Sequence, residues 1–260
     1  MSRNKGRTFK RIFVGSDPHC GHETGLTHPG FDPGGDSHNA IVRAECWDWF
    51  KEEVKSKAPY DIALWGGDIL DGTGDRSGGT ENLTMDLFKQ AQCFYNIVQT
   101  VKAKENVLVY GTPYHTACKG QDFEHAVAGI EYLEDHAFVK VNGVTFDLKH
   151  KIGGSTVPWG RHTASSKAHY LNALNSIKES EPLADVILRA HVHYHQFCGG
   201  NNWIAMTIPA LAWGSKFGKR QCEGAVDFGF LVFDIYNDGR IVWEPHIVLL
   251  DSQKAKVIEL

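Results

Sequence analysis

Aspartate and histidine residues recur directly after short apolar runs of this sequence. Five such runs, each typical of a buried strand, are followed by side chains that can bind a metal ion or move a proton. In chain order these side chains are Asp17 and His19, Asp68 and Asp71, Thr112 and His115, His150, and His191 and His193. Because the ends of neighbouring strands lie together at one edge of a sheet, we expect the five sets to converge.

These side chains have the chemistry of ligands for divalent transition metals. Imidazole binds Zn, Fe, Mn or Ni, and carboxylate adds charge and can bridge two ions. Residues i and i+2 of an extended segment share a face, so each Asp-x-His or His-x-His pair can bind one ion. The candidate metal ligands are Asp17, His19, Asp68, His150, His191 and His193. They exceed the three or four ligands of one open zinc site, which favours two ions about 3.5–4 Å apart.

Each of these pairs has an ordinary explanation when it is taken alone. An Asp-x-His is usually part of a loop, a Gly-Asp after a strand is usually a turn, and a His-x-His more often packs than binds metal. The joint placement, in order and each after a strand, favours the functional interpretation. Nine of the 14 histidines lack such placement and are expected to be structural or exposed. His22 and His162 are the strongest exceptions, because both lie in Gly-rich loops near the proposed site.

Apolar periodicity predicts the elements that must position these residues. Strands are expected over 12–14, 62–65, 107–110, 138–141, 144–148 and 186–188, and then over 203–208, 230–236 and 241–248. Helices are expected from the cap Ser37 through Val54, and over 83–98, 122–135 and 165–178. Asn142-Gly143 predicts a tight hairpin. Early βα alternation and late hairpins together predict an α/β fold, a two-sheet β-sandwich flanked by helices, with residues 1–260 as a single domain.

Composition excludes several classes of protein. The 260 residues are 42% hydrophobic, so the chain can bury a sizeable core, and no apolar run reaches the ~18 residues of a membrane span. The net charge of −4 argues against a protein that holds nucleic acid mainly by charge. The basic N-terminal segment lacks the apolar stretch of a signal peptide. Six cysteines without a C-x-x-C pair predict reduced thiols and a cytoplasmic location.

Five blocks of the sequence resemble those of the calcineurin-like metallophosphoesterases. They are Asp17-Pro18-His19, Gly67-Asp68-Ile69-Leu70-Asp71, Gly111-Thr112-Pro113-Tyr114-His115, His150 and Ala190-His191-Val192-His193. The family forms are D-x-H, G-D-x-x-D, G-N-H-[DE], a lone H and G-H-x-H. The order is the same, and the blocks span residues 17–193. The family fold, a β-sandwich flanked by helices, agrees with the fold predicted from periodicity.

The resemblance implies a role for each candidate residue. Asp17, His19 and His193 would hold the first metal, His150 and His191 the second, and Asp68 would bridge the two. His115 would contact the phosphate and assist the leaving oxygen as the catalytic acid. Asp71 would support catalysis by orienting a ligand.

Two positions depart from the family pattern. Ala190 replaces a glycine, which is a small change. Thr112 stands where the family has an Asn that binds the second metal, and two residues separate it from His115. Water, a backbone carbonyl or His115 itself could complete that site.

The sequence thus predicts a metal-dependent phosphoester hydrolase that leans to phosphodiesters in nucleotides or nucleic acid, with Mn, Fe, Ni or Zn as the metal. Long loops over 21–36, 72–80 and 153–163 would line the site. Aromatic and basic residues in or near these loops either contact the phosphate and base of a nucleotide or are ordinary loop residues. The residues in question are Lys119, Trp159, Arg161, His162, Trp213, Lys216, Lys219 and Arg220.

Two alternatives stay open. One is a phosphomonoesterase or protein phosphatase of the same fold, although the protein Ser/Thr phosphatase motif G-D-x-V-D-R-G has an Arg where this chain has Gly72. The other is a non-catalytic metal-binding scaffold, although a decayed site should have lost more than one ligand.

Overall fold

Two stacked β-sheets form the centre of the molecule in the computed structural model, which describes residues 7–74, 78–118, 121–155, 157–215, 226–254, 257 and 259. The strands are β1 (Phe9–Gly15), β2 (Ile62–Trp65), β3 (Glu105–Val109), β4 (Ala117–Cys118), β5 (Gln121–Asp122), β6 (Tyr132–Glu134), β7 (Ala137–Val141), β8 (Val144–Lys149), β9 (Val186–Arg189), β10 (Gln196–Gly199), β11 (Ile204–Thr207), β12 (Phe228–Tyr236) and β13 (Ile241–Val248). The helices are α1 (His38–Lys57), α2 (Leu87–Val101), α3 (Pro113–Thr116) and α4 (Arg161–Ile177).

Parallel pairing within each sheet brings the chemically important strand ends to one edge. The first sheet has the order β13-β12-β1-β2-β3-β6, and the second has the order β10-β11-β9-β8-β7. In the first sheet β1, β2 and β3 run parallel to one another, and in the second sheet β8 runs parallel to β9. The five strands that precede the candidate ligands therefore end in two sets, one set in each sheet.

Apolar side chains between the sheets hold the two layers together. The buried inner residues include Ile12 and Val14 of β1, Phe146 and Leu148 of β8, and Phe233 of β12. A second core lies outside the first sheet, where Phe50 of α1 and Phe94 of α2 pack with residues of that sheet. On the second sheet, Ala168 of α4 packs on Ile187 and Ala205. The predicted fold class, a two-sheet α/β sandwich flanked by helices, is confirmed.

Local capping signals decide where two of the helices begin. The Ser37 hydroxyl accepts a hydrogen bond from the Ala40 N–H at 3.2 Å, so α1 starts where the sequence predicts. Helix α2 begins four residues later than the predicted Leu83. The Asp86 side chain accepts hydrogen bonds from the N–H groups of Phe88 and Lys89, and it therefore caps the helix at that point.

The helix predicted over 122–135 is wrong. Only one turn of 3-10 helix, Phe123–Ala126, forms there. Gly129 then adopts a left-handed conformation with φ of 78°, which ends any helical course. The chain continues as β6, which pairs with β3 at the edge of the first sheet. Strands β10, β4 and β5 are also absent from the sequence prediction, because segments this short carry little periodic signal.

The hairpin predicted at Asn142-Gly143 forms between β7 and β8. Both residues have positive φ, 47° and 88°, as the tight turn requires. None of the described helices is long and apolar enough to cross a membrane.

Candidate metal centre

The loops that leave β1, β2, β3, β8 and β9 meet at one edge of the sandwich. Within the first sheet, the Asp17 N–H donates to the Gly67 carbonyl at 3.0 Å. Two bonds then cross from one sheet to the other. His150 Nδ1 donates to the Gly66 carbonyl at 2.6 Å, and the His191 N–H donates to Asp17 Oδ2 at 3.3 Å. These bonds fix the relative position of the loops that carry the candidate ligands.

Five of the six candidate ligands have left-handed backbone conformations. Their φ angles are 50° at Asp17, 43° at His19, 49° at Asp68, 74° at His191 and 57° at His193. Non-glycine residues seldom adopt positive φ, and such strain persists only where the surroundings enforce it. Its concentration at the candidate ligands is typical of a functional site.

The first group of candidate ligands contains Asp17, His19 and His193. One ligand atom from each lies within 4.8 Å of the others. His193 Nε2 lies 3.2 Å from both Asp17 Oδ1 and His19 Nε2. Asp17 Oδ1 is a buried oxygen without a hydrogen-bond partner among the described residues. A cation bound among these atoms would satisfy that oxygen, and the donor set fits a divalent transition metal.

The second group contains Asp68, His150 and His191, again with ligand atoms within 4.8 Å of one another. Asp68 Oδ2 lies 3.0 Å from His150 Nε2. The bond from His150 Nδ1 to the Gly66 carbonyl places the proton on Nδ1, which leaves Nε2 free to bind a metal.

Thr112 lies inside the second group. Its hydroxyl oxygen is 3.2 Å from His150 Nε2, 3.3 Å from Asp68 Oδ2 and 3.4 Å from His191 Nδ1. Its backbone N–H donates to the other carboxylate oxygen, Asp68 Oδ1. The residue that departs from the family pattern is therefore in contact with all three candidate ligands of this group.

Asp71 and His115 lie beside the first group. Asp71 Oδ1 is 3.3 Å from His19 Nδ1 and 3.4 Å from His115 Nδ1, so one carboxylate contacts both rings. His115 also falls in a group with His19 and Asp68, whose ligand atoms lie within 4.8 Å of one another. His115 is not grouped with His150 and His191. This placement does not favour His115 as the ligand that replaces the family Asn at the second metal position.

The charges of the site oppose the effect of burial. Burial acts to raise the pKa values of Asp17 and Asp68, but the neighbouring histidines, His193 and His150 above all, hold both below their usual range. Burial acts to lower the pKa of His150, and Asp68 and Asp17 together raise it to about 9. The site is a compact arrangement of anionic oxygens and imidazoles, which is the environment a divalent cation requires.

Two glycines allow the β2 and β3 loops to approach each other. A Cβ at Gly111 would lie 2.2 Å from the Asp68 nitrogen and 2.3 Å from Asp68 Oδ1. Gly67 has a φ of 89°, and a Cβ there would lie 2.8 Å from the Gly111 Cα. A side chain at either position would displace Asp68.

Glu124 is a residue of this site that the sequence does not reveal. It is 1% exposed, and its two carboxylate oxygens accept the N–H groups of Ile69 at 2.9 Å and Gly111 at 2.7 Å. These groups directly follow Asp68 and directly precede Thr112. Burial raises the pKa of Glu124 to about 8. The side chain joins the two loops, and no spacing or motif in the sequence indicates that role.

The residues suggested for substrate contact lie in different places. The prediction that Trp213 stacks on the substrate is wrong, because Trp213 is buried in the core outside the first sheet. Trp159 is 80% exposed. Arg161 lies over the Tyr194 ring at 4.5 Å, and His162 is exposed on the first turn of α4. Lys119, Lys216, Lys219 and Arg220 lie outside the described residues.

Comparisons with known proteins concern the fold. The sequence matches no protein-family model and no curated protein. Among solved structures, it is similar to Vacuolar Protein Sorting 29 from Cryptosporidium parvum, with 10% identity, a TM-score of 0.47 and coverage of 93% of this chain and 99% of that one. An archaeal phosphodiesterase has 14% identity, a TM-score of 0.44 and coverage of 91% and 99%. Vps29 from Entamoeba histolytica complexed with Zn²⁺ has 14% identity, a TM-score of 0.42 and coverage of 91% and 98%.

The role of Glu124 in joining the loops can be tested by substitution. Glu124→Ala leaves the N–H groups of Ile69 and Gly111 buried without acceptors, and each such group costs about 1–3 kcal/mol. We expect a lower free energy of unfolding and weaker metal binding, measured by urea denaturation and by calorimetric titration with Mn²⁺. The matched control is Glu134→Ala at an exposed position of β6. Equal results for the two variants would contradict the role.

Proposed function

We propose that this chain is a metal-dependent phosphoester hydrolase with two divalent ions. The observation that carries the proposal is the pair of ligand groups at one edge of the sandwich, Asp17 with His19 and His193, and Asp68 with His150 and His191. Two such ions supply positive charge to the phosphoryl oxygens and lower the pKa of a bound water. The bound water is the nucleophile, so hydrolysis requires no nucleophilic side chain.

Asp68 is the residue best placed to contact both ions. Its Oδ2 atom lies beside His150, and a ligand atom of the same carboxylate falls in a group with His19, which belongs to the first set. The Thr112 N–H holds Oδ1 and so fixes the carboxylate plane. The chain therefore presents one carboxylate between two sets of imidazoles.

His115 is proposed as the acid that protonates the leaving oxygen. It is one of the partly exposed histidines of the cluster, with 24% of its side chain accessible, against 27% for His193, which belongs to the first ligand group, and 9% for His19. Its Nδ1 atom contacts the carboxylate and the carbonyl of Asp71, so Nε2 is the atom left for the substrate. Asp71 acts as a positioning residue for both His115 and His19.

Phosphodiesters in nucleotides or nucleic acid remain the proposed substrates. The support is the sequence: the Arg of the protein phosphatase motif is missing, and Trp159 and Arg161 follow His150, Trp159 in the connecting loop and Arg161 at the start of α4. A non-catalytic scaffold is the rival proposal, and the near-complete ligand set speaks against it. We propose manganese among the candidate metals and a cytoplasmic location, in keeping with the free thiols of Cys20, Cys46, Cys93 and Cys198.

Removing the shared carboxylate tests the two-metal proposal. Asp68→Ala should abolish turnover and lower the bound metal below the wild-type level, because both ions lose a ligand. Metal content is measured by mass spectrometry of the dialysed protein. Turnover is measured with bis-p-nitrophenyl phosphate as the substrate. Full activity and unchanged metal content in Asp68→Ala would show that the proposal is wrong.

The role of His115 has a different signature. His115→Asn should lower kcat by about 10²–10⁴-fold, the usual contribution of a positioned acid, while both metals stay bound. The defect should shrink for p-nitrophenyl esters, because p-nitrophenolate leaves with little need of a proton. Rescue of His115→Asn by a higher metal concentration would instead identify His115 as a metal ligand. His22 and His162 would then be the next candidate acids.

A substrate panel tests the preference for diesters. We expect faster turnover of bis-p-nitrophenyl phosphate, cyclic nucleotides or nucleic acid than of p-nitrophenyl phosphate, in assays with Mn²⁺, Mg²⁺, Ni²⁺ and Zn²⁺ in turn. Much faster cleavage of the monoester than of every diester would overturn the proposed preference for diesters. The proposal that the protein hydrolyses phosphoesters would stand.

A further inference from the structure

Thr112 occupies a capping position without capping. It is the N-cap residue of α3, where a threonine hydroxyl normally accepts a hydrogen bond from the first turn of the helix. No side-chain cap bond forms at this position. The hydroxyl instead lies among Asp68, His150 and His191, at 3.3, 3.2 and 3.4 Å from their ligand atoms.

These distances match the spacing of atoms that share one metal ion. Ligand atoms at about 2.0–2.1 Å from a tetrahedral ion lie about 3.3 Å from one another. The Thr112 hydroxyl has this separation from all three candidate ligand atoms of the second group. With it, the group offers two imidazole nitrogens and two oxygens, the number of ligands in a four-coordinate site.

Hydrogen bonding alone does not satisfy this arrangement when His150 is neutral, which is the form that can bind a metal through Nε2. A hydroxyl has one proton to donate. In neutral His150, Nδ1 carries the proton that bonds to the Gly66 carbonyl, so Nε2 is an acceptor, as is Asp68 Oδ2. The hydroxyl can serve only one of them. A cation among the four atoms would satisfy the remaining lone pairs.

We infer that the Thr112 hydroxyl is the fourth protein ligand of the second metal position, and that it makes this position the weaker and more exchangeable of the two. The inference rests on the proposed function. An unionised hydroxyl is a poorer donor than an amide carbonyl, so this position loses its ion before the first, which has Asp17 in addition to the shared Asp68. Hydrolysis then rises and falls with the metal concentration that fills the second position.

Three substitutions at Thr112 separate the hydroxyl from the shape of the side chain. Thr112→Val keeps the shape and removes the oxygen, Thr112→Ser keeps the oxygen, and Thr112→Asn introduces an amide carbonyl. Metal-free protein is titrated calorimetrically with Mn²⁺, and the bound ions are counted by mass spectrometry. We expect two binding steps in the wild type, a second step at least 10-fold weaker in Thr112→Val, a nearly normal one in Thr112→Ser and a tighter one in Thr112→Asn.

The outcomes distinguish this inference from the proposed function. A second step of equal affinity in the wild type and Thr112→Val would overturn the role of the hydroxyl and leave the two-metal hydrolase intact. A wild-type protein with fewer than two binding steps would overturn both. Thermal unfolding of the metal-free variants is the folding control. Thr112→Ser retains the oxygen. If it weakened the second binding step as much as Thr112→Val does, this result would also contradict the role of the hydroxyl as a metal ligand.

Discussion

The burial of two carboxylates beside a cluster of imidazoles is the constraint on which this structure depends. Asp17 is fully buried and Asp68 is 1% exposed, and an ionised carboxylate without partners is very costly in such surroundings. The protein surrounds each with donors. Ser16 Oγ and the His191 N–H donate to Asp17, and the Thr112 N–H donates to Asp68. These bonds stabilise the carboxylates and leave Asp17 Oδ1 and Asp68 Oδ2 facing the imidazoles.

The rest of the fold provides the rigidity that this arrangement needs. Parallel strands in two stacked sheets bring five loops to one edge, and the apolar core between the sheets prevents them from separating. The left-handed conformations at Asp17, His19, Asp68, His191 and His193 are unfavourable individually. Hydrogen bonds fix the backbone around them: the Asp17 N–H donates to the Gly67 carbonyl, the Ile69 N–H donates to the Glu124 carboxylate, and the His191 N–H donates to Asp17. Stability elsewhere in the chain thus supports the strain at the candidate ligands.

Local signals in the sequence were sufficient for much of the fold. The apolar run 62–65 predicts β2 at its observed bounds, Asn142-Gly143 predicts the β7–β8 hairpin, and Ser37 predicts the start of α1. Each depends on residues close together in the chain. The segment 122–135 could not be predicted in this way, because β6 forms by pairing with β3, and periodicity does not report such pairing.

The same distinction applies to the candidate site. Residue types after strand ends identified Asp17, Asp68 and the histidines as a group, because strand direction alone brings them together. Glu124 was not identified, since its two partners lie 55 and 13 residues away. The direction of the Thr112 hydroxyl also depends on tertiary contacts: the sequence marked the residue as a departure from the family pattern, and only the structure places its oxygen among three candidate ligands.

Asp68 is proposed to join two metal ions at this edge of the sandwich through its carboxylate. Electron paramagnetic resonance of the protein reconstituted with two equivalents of Mn²⁺ tests this most directly, because ions that share a bridging ligand are magnetically coupled. We expect a coupled dinuclear spectrum that includes most of the manganese. A spectrum of isolated, uncoupled Mn²⁺ ions at the same loading would contradict it.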